Sequence, residues 1–130
     1  MQIFKTKDFG KRAESEDLTD EAIASAMREV RDGLVDAALG GDLYKKRIAI
    51  GGNGKSGGVR SIIAYKDPED RVFCLFVFPK NKKANIAIDE KKQLKLEAKV
   101  LLNMGQKDFE KAHTAGALIE VPVIDDEDNE

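Results

Sequence analysis

Lys55 sits among glycines in GGNGKSGG, residues 51–58, and Arg60 follows two positions after that run. Upstream, LYKKRIAI (residues 43–50) supplies Lys45, Lys46 and Arg47; downstream, FPKN supplies Lys80. Arginine forks onto phosphate oxygens and lysine acts as a point charge, so this set suits recognition of a phosphodiester. The strand period places Lys45 and Arg47 on one face, with Tyr44, Lys46, Ile48 and Ile50 on the other. If residues 43–50 and 59–66 pair as neighbours, Lys55, Arg60 and Arg47 converge at one end of the pair. Lys80 joins them if the following strand leaves at that same end. Lys45, Lys46 and Lys82 are candidates for phosphate contacts around this centre. Taken singly, each has a plainer reading as part of a solvated basic face.

The glycines invite a nucleotide reading, and the sequence argues against it. A Walker A loop requires G-x-x-x-x-G-K-[ST] followed by a helix. Here the first glycine falls at Ala49, and Gly57 and Gly58 precede a strand pattern. Gly52, Gly54 and Gly57 satisfy G-x-G-x-x-G, but the dinucleotide form again needs a helix next. The kinase form needs an H-R-D element, which the sequence lacks, and a D-F-G after the glycines, whereas the D-F-G here, Asp8-Phe9-Gly10, precedes them. What remains is a loop joining two strands and carrying one cation.

The 130 residues fit one domain, and 42% apolar with 35% charged residues is ordinary for a soluble globular chain. No apolar run approaches a membrane span, the first residues lack a signal-peptide pattern, and a reducing cytoplasm is expected. Cys74 is the single cysteine and lies in an apolar strand pattern, which makes it core filling. The net charge of −2 hides an asymmetry. Residues 41–83 hold ten bases and four acids, whereas the last eleven residues, EVPVIDDEDNE, hold six acids and no base.

These side chains must be positioned by regular elements. A short strand is expected at residues 2–4 and a helix at 8–14. Thr19 caps a second helix, stapled by Leu18 and Ile23, buried along Ile23, Met27 and Val30 and stopped at Gly33. Strands follow at 43–50, 59–66 and 71–79, and short connections predict an antiparallel meander. The third strand alternates Val72, Cys74, Phe76 and Phe78 against Phe73, Leu75 and Val77, so it is expected to be covered on both sides. Asp89 is placed as the cap of a helix to about residue 103, with Leu94, Ala98 and Leu101 buried. A further turn or two covers 108–113, and residues 118–124 read as extended. His113 reads as a surface helix residue, and Tyr44 and Tyr65 as packing residues. The expected fold class is α+β, a small twisted antiparallel sheet packed with two to four helices. Residues 1–118 form the domain and 119–130 an acidic tail too polar to order itself.

The segment from Leu39-Gly40-Gly41 through Tyr44-Lys45-Lys46-Arg47, Gly54-Lys55-Ser56-Gly57-Gly58-x-Arg60 and Phe78-x-Lys80-Asn81 to Asn85-Ile86 resembles the RelE/HigB-type toxins of bacterial toxin–antitoxin pairs, in the RelE/ParE superfamily. The likeness covers residues 39–102 and extends back to about residue 16. It implies a RelE-like fold and ribosome-dependent cleavage of mRNA in the cytoplasm. The ribose 2′-hydroxyl attacks the adjacent phosphate, leaving a 2′,3′-cyclic phosphate and a free 5′-hydroxyl. Such a reaction needs removal of the 2′ proton, stabilisation of charge on phosphorus and protonation of the leaving oxygen.

Carried onto this sequence, the resemblance makes Lys55, Arg60, Arg47 and Lys80 the catalytic set, working with neither metal nor cofactor. Arg60 and Arg47 would hold the phosphorane oxygens, and Lys55 or Lys80 would exchange the proton. The C-terminal tyrosine or histidine of several relatives has no counterpart here, since no tyrosine follows Tyr65 and the one histidine, His113, lies beyond the motifs. The implied partners are a helix-turn-helix, HigA-like antitoxin, the ribosome and mRNA, with no membrane. The competing expectation is a non-catalytic module that grips RNA or a protein, as in gyrase-targeting relatives, because shared shape does not dictate chemistry.

Overall fold

Two threonines start the first two helices. In the computed structural model, which describes residues 1–50, 58–66, 70–81 and 85–123, strand β1 (Gln2–Thr6) runs directly into helix α1 (Lys7–Ser15). The Thr6 hydroxyl accepts the Phe9 N–H at 3.1 Å, filling one of the donors a helix start leaves open. Helix α2 (Asp20–Arg31) begins in the same way, with the Ala22 N–H donating to Thr19 Oγ1 at 3.2 Å. It stops at Asp32, and Gly33 follows with φ of +87°, a left-handed conformation that glycine takes without strain.

The meander expected from the short connections is present. Strands β3 (Leu43–Ile48), β4 (Val59–Lys66) and β5 (Arg71–Pro79) pair antiparallel in sequence order. Strand β2 (Ala37–Gly40), which the sequence reading did not contain, adds to β3 on the outside. On the other side β1 pairs parallel with β5, and β6 (Leu118–Val121) pairs antiparallel with β1. Among the described residues the result is a six-stranded sheet in the order β2-β3-β4-β5-β1-β6, mixed through the parallel β1–β5 pair. The fold is α+β as expected. Strand β6 carries the sheet to Val121, three residues into the segment read as acidic tail. Residues 124–130 lie outside the described residues.

The sheet is covered on both faces, and β5 is buried on both as expected. One face packs α1 and α2 through Phe9, Ile23, Met27 and Val30 against Val59, Ile63, Val72, Cys74 and Val77. The other packs helices α3 (Ile88–Leu102) and α4 (Gln106–Thr114) through Leu94, Ala98, Leu101 and Phe109 against Leu43, Ile62, Phe73, Leu75 and Phe78. Each fully buried large aliphatic or aromatic side chain contributes about 1.5–3 kcal/mol.

The simple alternation expected along β5 does not hold. Ile62 pairs with Phe76 and Ile63 with Cys74, so Leu75 is an extra residue in β5. This bulge puts Leu75 and Phe76 on the same side as Phe73 and Phe78, leaving Val77 with Val72 and Cys74. Helix α3 also starts one residue before the expected cap. Ala87 is its N-cap, and the Glu90 carboxylate accepts the Ala87 N–H at 2.8 Å.

Tyr65 is buried and Tyr44 partly so, both in the α2-side cluster, and His113 is exposed on α4. Cys74 is fully buried, and desolvation pushes its thiol up to about 12, which keeps it protonated and inert. No helix among the described residues is long and apolar enough to cross a membrane.

Candidate anion site

The pairing of β3 with β4 builds the site. Arg47 and Arg60 are direct cross-strand partners, and Arg60 in turn faces Phe78 on β5. Residues opposite each other in a sheet project to the same side, so two guanidinium-bearing residues and a phenyl ring share one row. The row lies at the end of the sheet where β3 stops and β4 begins. Lys45 lies on the same face, opposite Ile62.

Arg60 is 4% exposed, and its Nη1 is buried without a hydrogen-bond partner among the described residues. Burial is the main influence lowering its pKa. The charge of Arg47 lowers it further, and Asp36 partly offsets both. Guanidinium nevertheless stays charged in proteins. A buried, positively charged donor facing a second arginine is unfavourable unless an anion completes the arrangement.

Asp36, just before β2, organises the pair. Its Oδ2 accepts the Arg47 backbone N–H in a short hydrogen bond, and its Oδ1 lies 3.9 Å from Arg47 Nε. The sequence reading missed Asp36, because no local pattern marks a carboxylate before an unforeseen strand. Arg47 itself remains exposed, so the site opens to solvent from its side.

Gly58 immediately precedes β4. A Cβ at this position would stand 2.1 Å from the Ile48 carbonyl oxygen, so only glycine fits between β4 and β3. Lys55 and Lys82, both candidates from the sequence, lie outside the described residues.

Lys80 leaves β5 at the same end of the sheet, since Pro79 pairs with Val59. It is exposed and lines a cleft of about 400 Å³ with Glu16, Ile50, Gly58 and Asn81. Lys46 does not join the group. It projects to the α2 side and is 4% exposed, where its ammonium donates to the Leu34 carbonyl at 2.7 Å and pairs with Glu29 at 2.8 Å. A phosphate contact from Lys46 would require breaking both. The structure thus brings Arg47, Arg60 and Lys45 to one face, sets Lys80 at the same sheet end and turns Lys46 into the fold.

No curated protein matches the chain. A family model described as the RelE toxin of the RelE/RelB toxin–antitoxin system matches residues 1–121, well beyond the 39–102 segment that carries the resemblance and including the chain after residue 103. With the six-stranded sheet and four helices on its two faces, this match places the chain in the RelE family of toxins.

Proposed function

We propose that this toxin is a ribosome-dependent mRNA endonuclease that inhibits translation, and that its sheet-end arginines grip the reacting phosphodiester. The observation carrying this reading is the buried Arg60 guanidinium, whose Nη1 has no partner among the described residues, with Arg47 directly across the strand pair. In-line attack of a ribose 2′-hydroxyl puts extra negative charge on the phosphorane oxygens. The buried Arg60 guanidinium, with that of Arg47 across the strand pair, supplies donors for that charge. Lys55 or Lys80 serves as the proton-exchanging group. Lys45 and Lys82 steer the flanking phosphates as point charges. A helix-turn-helix, HigA-like antitoxin restrains the toxin, and the ribosomal A site in the cytoplasm presents the message.

The test is sequencing of 5′ ends of cellular mRNA after induction of the toxin. New ends at codon boundaries are expected from the wild type and absent from the Lys55→Ala/Arg60→Ala double variant. Codon-boundary ends that persist undiminished in the double variant would refute the site. Growth arrest with DNA damage and no such ends would refute the nuclease.

A further inference from the structure

A second cationic feature lies at the opposite end of the α3-bearing face. A cleft of about 530 Å³ opens between α3, the β2–β3 turn and the last residue of β4. Lys66, Lys92, Lys95 and Lys99 line it, with Leu96 and Leu102 as an aliphatic wall. Among the described residues none of these four ammonium groups enters an ion pair. Gly40 has φ of +91°, and a Cβ there would stand 3.1 Å from Lys95 Nζ. Gly41 follows with φ of +62° and open space where a Cβ would stand, so it is the left-handed backbone of the turn that calls for the glycine pair.

Helix α3 is also apolar where a solvated helix is polar. Leu94, Ala98 and Leu101 face the core, yet Leu96 and Val100 are 61% and 63% exposed, one turn apart. The outward positions of α2 hold Glu21, Ser25 and Arg31 instead. The charges of α3 are sorted as well: Lys92, Lys95 and Lys99 border the cleft, while the carboxylates Asp89 and Glu90, with the neutral Gln93, lie beside Phe76 on the other flank. An RNA strand would engage the lysines and gain nothing from Leu96 and Val100. An acidic amphipathic helix uses both, with carboxylates on the lysine rim and aliphatic side chains on the exposed stripe.

We infer that this cleft and the outer stripe of α3 dock an acidic amphipathic segment of a partner polypeptide, which for a toxin of this family is the antitoxin. The surface stands apart from Arg47 and Arg60 and does not depend on the chemistry proposed for them.

Fluorescence anisotropy on the full chain tests it with two labelled probes. One is a synthetic glutamate- and leucine-rich amphipathic peptide of about 16 residues; the other is an oligouridylate of about ten nucleotides. Lys92→Glu/Lys99→Glu is expected to weaken peptide binding about tenfold or more, and Leu96→Gln about threefold. Oligouridylate binding is expected to be indifferent to Leu96→Gln. Peptide binding that neither variant changes overturns the inference. So does a pattern in which Leu96→Gln is silent while the lysine variant weakens both probes in parallel, which would make the cleft a nucleic-acid surface. Neither readout uses mRNA cleavage, so the outcome is independent of the nuclease reading.

Discussion

Lys46 and Arg60 lie on adjoining strands, one cross-strand pair apart, and both are 4% exposed. They are buried in opposite ways. Lys46 projects toward α2, where Glu29 and the Leu34 carbonyl take its ammonium. Arg60 projects toward the other face, where Arg47 repels it and its Nη1 has no partner among the described residues. A buried cation whose partners are all supplied by its own fold acts as structure. One that the fold surrounds with a like charge is held ready for something else. Family membership alone would not have separated the two, since both belong to the same basic segment.

The sharpest way to break this contrast is Arg60→Met. If Arg60 serves an anion, mRNA cleavage mapped by 5′-end sequencing falls on the order of 10²–10³-fold, the usual consequence of losing a preorganised donor. The unfolding temperature should hold or rise, because a buried charge facing a like charge is removed while the aliphatic volume stays. A fall in thermal stability alongside lost cleavage would put Arg60 in the same class as Lys46.

The converse substitution carries the next largest effect. Lys46→Ala is expected to cost roughly 2–3 kcal/mol in urea unfolding, through loss of the buried stem and of the donor to Leu34. Glu29 is 40% exposed and rehydrates, so the ion pair itself is the smaller share of that loss. Lys46→Met keeps the stem and should recover most of the stability. A negligible cost for Lys46→Ala would dissolve the distinction between the two residues.

The smallest effect concerns the helix that delivers Glu29. Thr19→Ala removes the α2 cap and should cost about 1 kcal/mol. Combined with Lys46→Ala, the two losses should come out less than additive if α2 positions the pair, as a double-mutant cycle would register.

Much of the frame was legible locally. The Thr19 cap, the Ile23, Met27 and Val30 stripe and the 43–50, 59–66 and 71–79 strands follow from patterns within a few residues, and the structure contains each with small shifts at the ends. The opposite facing of Lys46 and Arg47 was legible too, because a period of two is a property of the strand alone. Nothing local announced β2, the parallel seat of β1 beside β5, or the extra residue at Leu75. Each depends on pairing between segments distant in the chain, and such pairing is set by which apolar faces close over one another.

The same division runs through the anion site. Residue types and spacing carried the cationic character and the order Arg47, glycine loop, Arg60, since charge and strand period are written residue by residue. Which cation is neutralised and which is left open depended on α2 bringing Glu29 to one face while Arg47 and Phe78 flank Arg60 on the other. Partners for a buried charge come from whichever elements pack against it, and that packing exists only once the chain is folded.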